Sequence, residues 1–120
     1  MSNNIIMMAL FSFLFGSKVQ NANIKVLAPN EFKKQITNHS VQLIDVRTAN
    51  EFKSGHIKKA NNIDFFSSSF IAQLEKLDKQ KPVYVYCRSG NRSNKAANQL
   101  AKMGFVEIYD LKGGFLNWKE

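Results

Sequence analysis

Val83-Tyr84-Val85-Tyr86-Cys87-Arg88-Ser89-Gly90-Asn91-Arg92-Ser93-Asn94-Lys95-Ala96-Ala97 passes from an uncharged β-branched and aromatic stretch, through a short polar segment, into apolar residues at helical spacing. Residues 83–86 suit a strand buried on both faces. From Ser93 onward, Ala96, Ala97, Leu100 and Met103 line one side of a helix, and Gly104 with Phe105 supplies its stop and the apolar contact that goes with it. A strand, a tight turn and a helix in this order belong to a parallel sheet covered by helices, so the class is α/β.

The rest of the chain repeats the alternation. Strands are expected at 24–27, 42–46, 62–64, 83–87 and 106–110, with 41–46 and 83–86 composed for central places. Pro29 is placed to open a helix with Phe32 and Ile36 four apart on one face. Thr48-Ala49-Asn50-Glu51 fits a capping box, and Phe70, Leu74 and Leu77 recur at helical spacing after three serines able to cap. Trp118 is expected to cover one end of the core.

With 120 residues, 44% of them apolar and 22% charged, the chain is sized for one globular domain. Its 17 Lys and Arg against 9 Asp and Glu leave a net charge of +8, which favours anionic partners. The lysines are scattered, so small anions are expected and nucleic acid is not. Residues 1–23 are read as an apolar arm or signal-like segment and 24–120 as the domain. The apolar run is too short for a stable membrane span. No Lys or Arg precedes it, so a cytoplasmic location is expected, with export and a cleaved leader as the alternative. A monomer is expected.

Cys87 is the single cysteine, which excludes an internal disulfide and a cysteine-rich zinc site; two scattered histidines add no metal pattern. His56, beside Gly55, is read as a packed or hydrogen-bonded residue. Ligands of open parallel sheets gather beyond the carboxyl ends of the strands, where Cys87 stands. Gly90 and Asn91 can take left-handed backbone angles, so the amides of residues 88–92 can curl into an anion-binding nest, to which the start of the next helix adds its own. The same features, with Arg88 and Arg92, stabilise a thiolate, which is the nucleophile. An inert thiol ending a buried strand is the competing reading, and the arginine-flanked loop weighs against it.

Four motifs resemble those of the rhodanese family. Cys87-Arg88-Ser89-Gly90-Asn91-Arg92-Ser93 is similar to its active-site loop, and Leu43-Ile44-Asp45-Val46-Arg47 to its first central strand. Glu51-Phe52 through Gly55-His56-Ile57 and Asp110-Leu111-Lys112-Gly113-Gly114-Phe115 through Trp118 resemble two further signatures. The resemblance covers residues 24–118 and implies a five-stranded parallel sheet flanked by helices. It implies a sulfurtransferase that moves sulfur from a small anionic donor such as thiosulfate, through a persulfide on Cys87, to cyanide or a thiol such as that of a thioredoxin-like protein. Arg88, Ser89, Gly90, Asn91, Arg92 and Ser93 would bind the donor, with Arg92 facing it. Asp45 and Arg47 would support the site, more by bracing the sheet end than by touching the loop. No metal or organic cofactor is implied. Cysteine phosphatases and arsenate reductases are the remote alternative. The phosphatases carry their arginine six positions after the cysteine, where this chain has Ser93, whereas Arg92 stands one position earlier. A sulfur-relay or regulatory binding module is the nearer one.

Overall fold

The computed structural model describes residues 23–120. Five strands form one parallel sheet: β1 (Ile24–Leu27), β2 (Gln42–Asp45), β3 (Asn61–Asn62), β4 (Val83–Tyr86) and β5 (Ile108–Leu111), in the order β1-β5-β4-β2-β3. Between them lie α1 (Pro29–Asn38), α2 (Ala49–Lys53), α3 (Phe70–Leu74) and α4 (Asn91–Lys102), and a 3-10 turn spans Phe115–Asn117. This is the expected α/β class. β4 is the middle strand and all four of its residues are buried, as its composition requires.

Two apolar layers cover the sheet. Ala96, Ala97 and Leu100 of α4 pack with Phe70 and Leu74 of α3 over Ile44, Val83, Val85, Cys87 and Ile108. On the other face Phe32 of α1 packs with Leu43, Ile57, Tyr84, Tyr86, Tyr109 and Leu111, and Trp118 closes the end of that layer edge-on to Phe32 at 6.1 Å. Pro29 occupies the first turn of α1. The capping box forms: Thr48 Oγ1 accepts from Glu51 N, and Glu51 Oε1 accepts from Thr48 N. The stop at Gly104 forms too, with Phe105 N donating back to Leu100 O at 3.1 Å.

Other boundaries move. β5 begins at Ile108, because Val106 is 44% exposed and its amide turns to Lys79 O while Ile108 pairs with Ile24. β3 shrinks to two residues at the sheet edge. Ser69 does not cap α3 with its side chain; Ser67 Oγ instead accepts from Ser69 N in the turn ahead of the helix. The arm or leader read over residues 1–23 lies outside the described residues apart from Asn23, whose carbonyl accepts from Ile108 N at 2.9 Å. Among the described residues no helix is long and apolar enough to cross a membrane.

The strand order creates the site. From β2 the chain moves outward to β3, and from β4 it moves the opposite way to β5. The two following helices, α2 and α4, contribute to opposite layers, so their connections diverge beyond the carboxyl edge. Such a divergence leaves a crevice at which ligands of this architecture bind.

Candidate functional site

Cys87 follows the last residue of β4 and is 1% exposed. Gly90 N–H donates to Cys87 Sγ at 3.0 Å. The chain can turn back on itself this tightly because Gly90 adopts φ +110° and ψ −15°, a conformation strained for any residue with a Cβ. The turn is shorter than expected. α4 begins at Asn91, not Ser93, since Gly90 O already accepts from Asn94 N at 3.1 Å; Asn91 is therefore helical, and Gly90 alone of this segment has a positive φ. The consequence for chemistry is favourable. The unpaired amides and positive end of a twelve-residue helix stand immediately after the thiol.

Arg88 and Ser89 are exposed, while Ser93 is fully buried with its hydroxyl donating to Gly90 O at 3.3 Å. Arg92 departs from expectation. Its guanidinium makes a two-pronged pair with Glu51, Nη1 to Oε1 at 2.9 Å and Nη2 to Oε2 at 3.0 Å, and lies 5.8 Å from the Phe66 ring. This pair crosses the crevice from the first turn of α4 to the first turn of α2. Arg92, with the Thr48 amide and hydroxyl, holds the Glu51 carboxyl down to about 2 against the opposing effect of burial. Arg92 is in turn pushed above its ordinary range by Glu51, with the neighbouring Cys87 and Asp45 adding to it.

Asp45 and Arg47 are buried and brace the end of β2. Arg47 Nε and Nη2 bind the Asp45 carboxylate at 3.0 and 2.7 Å, Nη2 also reaches Gly55 O at 2.6 Å, and the guanidinium lies 4.4 Å over the Phe115 ring. Burial opposes the charge on Arg47, and its bonds to Asp45 more than offset that. Asn62 fastens the same loop, donating to both Asp45 O and Arg47 O at 2.9 Å. His56 is the packed residue expected, stacked on Phe52 at 3.7 Å.

The structure adds three contributors that local sequence patterns do not disclose. Glu51, legible only as part of a cap, is the partner of Arg92. The carboxyl-terminal strap, legible only as a motif, clamps the backbone of the loop, with Phe115 N donating to Cys87 O at 2.8 Å and Leu116 N to Arg88 O at 3.0 Å. Gly114 lies so close that a Cβ would stand 2.5 Å from Arg88 O and 2.7 Å from Cys87 O. Paired glycines ahead of an aromatic, at the end of a strand, are the available signal. The third is Asp110, 3% exposed in β5, with Oδ1 lacking any hydrogen-bond partner. Burial pushes its carboxyl up to about 6, and hydrogen bonding with Ser93 offsets this only in part.

Residues 28–120 match the family of the rhodanese-like domain. The uncharacterized protein YqhL of Bacillus subtilis is 41% identical over 98% of this chain and 94% of its own length. A protein of Shewanella oneidensis named thiosulfate sulfurtransferase GlpE is 36% identical over 82% of this chain and 96% of its own. Among solved structures, a rhodanese-like domain protein from Staphylococcus aureus superposes with a TM-score of 0.70 at 28% identity, covering 80% of this chain and 92% of that one. With its sheet order, its loop and these matches in agreement, the chain belongs to the family of rhodanese-like domains.

Proposed function

We propose that this protein is a sulfurtransferase in which Cys87 carries sulfur between a small anionic donor and a thiol or cyanide acceptor. The observation that carries the reading is the Gly90 amide directed at Cys87 Sγ at the head of α4. An amide donor and a helix amino-terminus stabilise negative charge on sulfur, first on the thiolate and then on the persulfide. Likeness to a protein named thiosulfate sulfurtransferase supports thiosulfate as one donor.

In the first half-reaction the Cys87 thiolate attacks the outer sulfur of thiosulfate. A bond forms from Sγ to that sulfur, the bond between the two thiosulfate sulfurs breaks, and its electron pair leaves with sulfite. In the second, an acceptor thiolate or cyanide attacks the outer sulfur of the persulfide and the Cys87 thiolate departs. A covalent intermediate shared by two half-reactions gives ping-pong kinetics. The depth of Cys87 favours a donor whose reacting atom is small and terminal. Arg88, exposed beside it, is placed to attract the anion, while Arg92 contributes charge from its pair with Glu51.

Mass spectrometry after exposure to thiosulfate tests the proposal. The expected result is one added sulfur on Cys87, removed by cyanide, and no addition in the Cys87→Ser variant. Sulfur transfer that persists in Cys87→Ser would sink it, as would a Cys87 that takes up no sulfur from any sulfane donor.

A further inference from the structure

Asp110 is an unexpected residue for its position. It pairs in register with Val85, and strand alternation places it on the same face as Ile108, beneath α4, where Val85, Ala96, Ala97 and Ile108 form an apolar layer. Burying a carboxyl with an unpartnered oxygen there costs stability that a valine of similar shape would not. Ser93 is the side chain that acts on this carboxyl by hydrogen bonding. The Ser93 hydroxyl also reaches Gly90 O, which has the Asn94 amide as its second donor. Gly90 is the pivot of the loop: its carbonyl faces Ser93 and its N–H faces Cys87 Sγ.

We infer that Asp110 is a positioning residue for the reacting thiol, setting through Ser93 the orientation of the Gly90 peptide groups and hence the amide directed at Cys87. The inference builds on the reading of Cys87 as the reacting thiol. The arrangement explains why a destabilising carboxyl occupies an apolar layer: it fixes the one hydroxyl that meets the loop from below. It also separates stability from reactivity, because removing the carboxyl relieves the layer and releases the loop.

The test uses the full chain with Asp110→Val, Asp110→Asn, Ser93→Ala and the double variant Asp110→Val with Ser93→Ala. Two rates are measured, alkylation of Cys87 by iodoacetamide and sulfur loading from thiosulfate, together with the thermal midpoint. Asp110→Val is expected to raise the midpoint yet slow both rates by about tenfold, the effect of one lost hydrogen bond. Ser93→Ala should slow them equally, the double variant no further, and Asp110→Asn, which can still bond Ser93, should recover most of the loss. An alkylation rate within about twofold of the unaltered chain in a folded Asp110→Val, or losses that add in the double variant, overturns the inference. If Asp110→Val does not fold, Ser93→Ala against Asp110→Asn decides by the same criterion. Should alkylation follow the expected pattern while no donor loads sulfur, the positioning role stands and the sulfurtransferase reading falls.

Discussion

One carboxylate at Glu51 completes the cap of α2 and holds Arg92 across the crevice, so its two partners share a single charge. Arg92→Ala and Glu51→Ala should each cost about 1 kcal/mol, the upper range for a partly exposed pair, and the double variant little more than either alone. Urea denaturation of the four proteins measures this, and additive losses would show that the pair is not coupled. Glu51 and Asp110 also give stability opposite dependences on pH. Glu51 is held at about 2 against an ordinary 4.5, so its contribution is complete above 4.5 and disappears as pH falls toward 2. Asp110 is raised from 3.8 to about 6, so the folded chain binds the extra proton between those values and stability declines as pH rises through them. Asp110→Asn, which cannot ionise, should therefore gain stability relative to the unaltered chain from about pH 4 to about pH 6 and hold a constant advantage above. Chemical denaturation at a series of pH values checks this; an advantage already complete at pH 4 would contradict it.

The strap from Gly113 to Trp118 and the turn from Cys87 to Gly90 act as one element although they are distant in sequence. Phe115 N and Leu116 N hold the loop carbonyls, and Gly114 makes the approach possible with φ +66° and no side chain. Gly114→Ala would place a methyl group inside the Arg88 carbonyl, so the strap or the loop must move. The expected cost is about 2–3 kcal/mol from strain and lost backbone bonds, with sulfur loading of Cys87 reduced by at least about tenfold. Thermal unfolding and single-turnover loading measure the two effects, and a folded Gly114→Ala with unchanged loading would show that the strap does not position the loop. α4 is legible locally, since its apolar stripe and its stop lie within one stretch of chain. Its start falls two residues earlier than the pattern indicates, because the turn at Gly90 is set by the thiol it wraps and by the strap behind it, neither of which a helical pattern encodes.

Across the whole molecule a surplus of 17 basic over 9 acidic residues surrounds a site that meets an anion. Sulfur loading from thiosulfate should slow as ionic strength rises from about 0.01 M to 0.15 M, where the screening length falls from roughly 30 Å to 8 Å. Stopped-flow kinetics in an inert salt test this, and a rate independent of salt would confine the attraction to groups in direct contact. A chain starting at Asn23 should keep its loading rate, because every residue placed in the site lies between Asp45 and Leu116. A folded shortened chain that loads sulfur slowly would assign residues 1–22 a part in the site. The sequence alone determined the class, the two strands named as central, the cap at Thr48, the stop at Gly104 and the thiol with its turn, since each depends on neighbours within one helical turn or one strand. Tertiary structure decided the rest. Glu51 meets Arg92 41 positions away, Phe115 meets the carbonyl of Cys87, and Asp110 lies beneath Ser93. These contacts arise where strands out of chain order bring their carboxyl ends together, and no local pattern records which side chains will meet there.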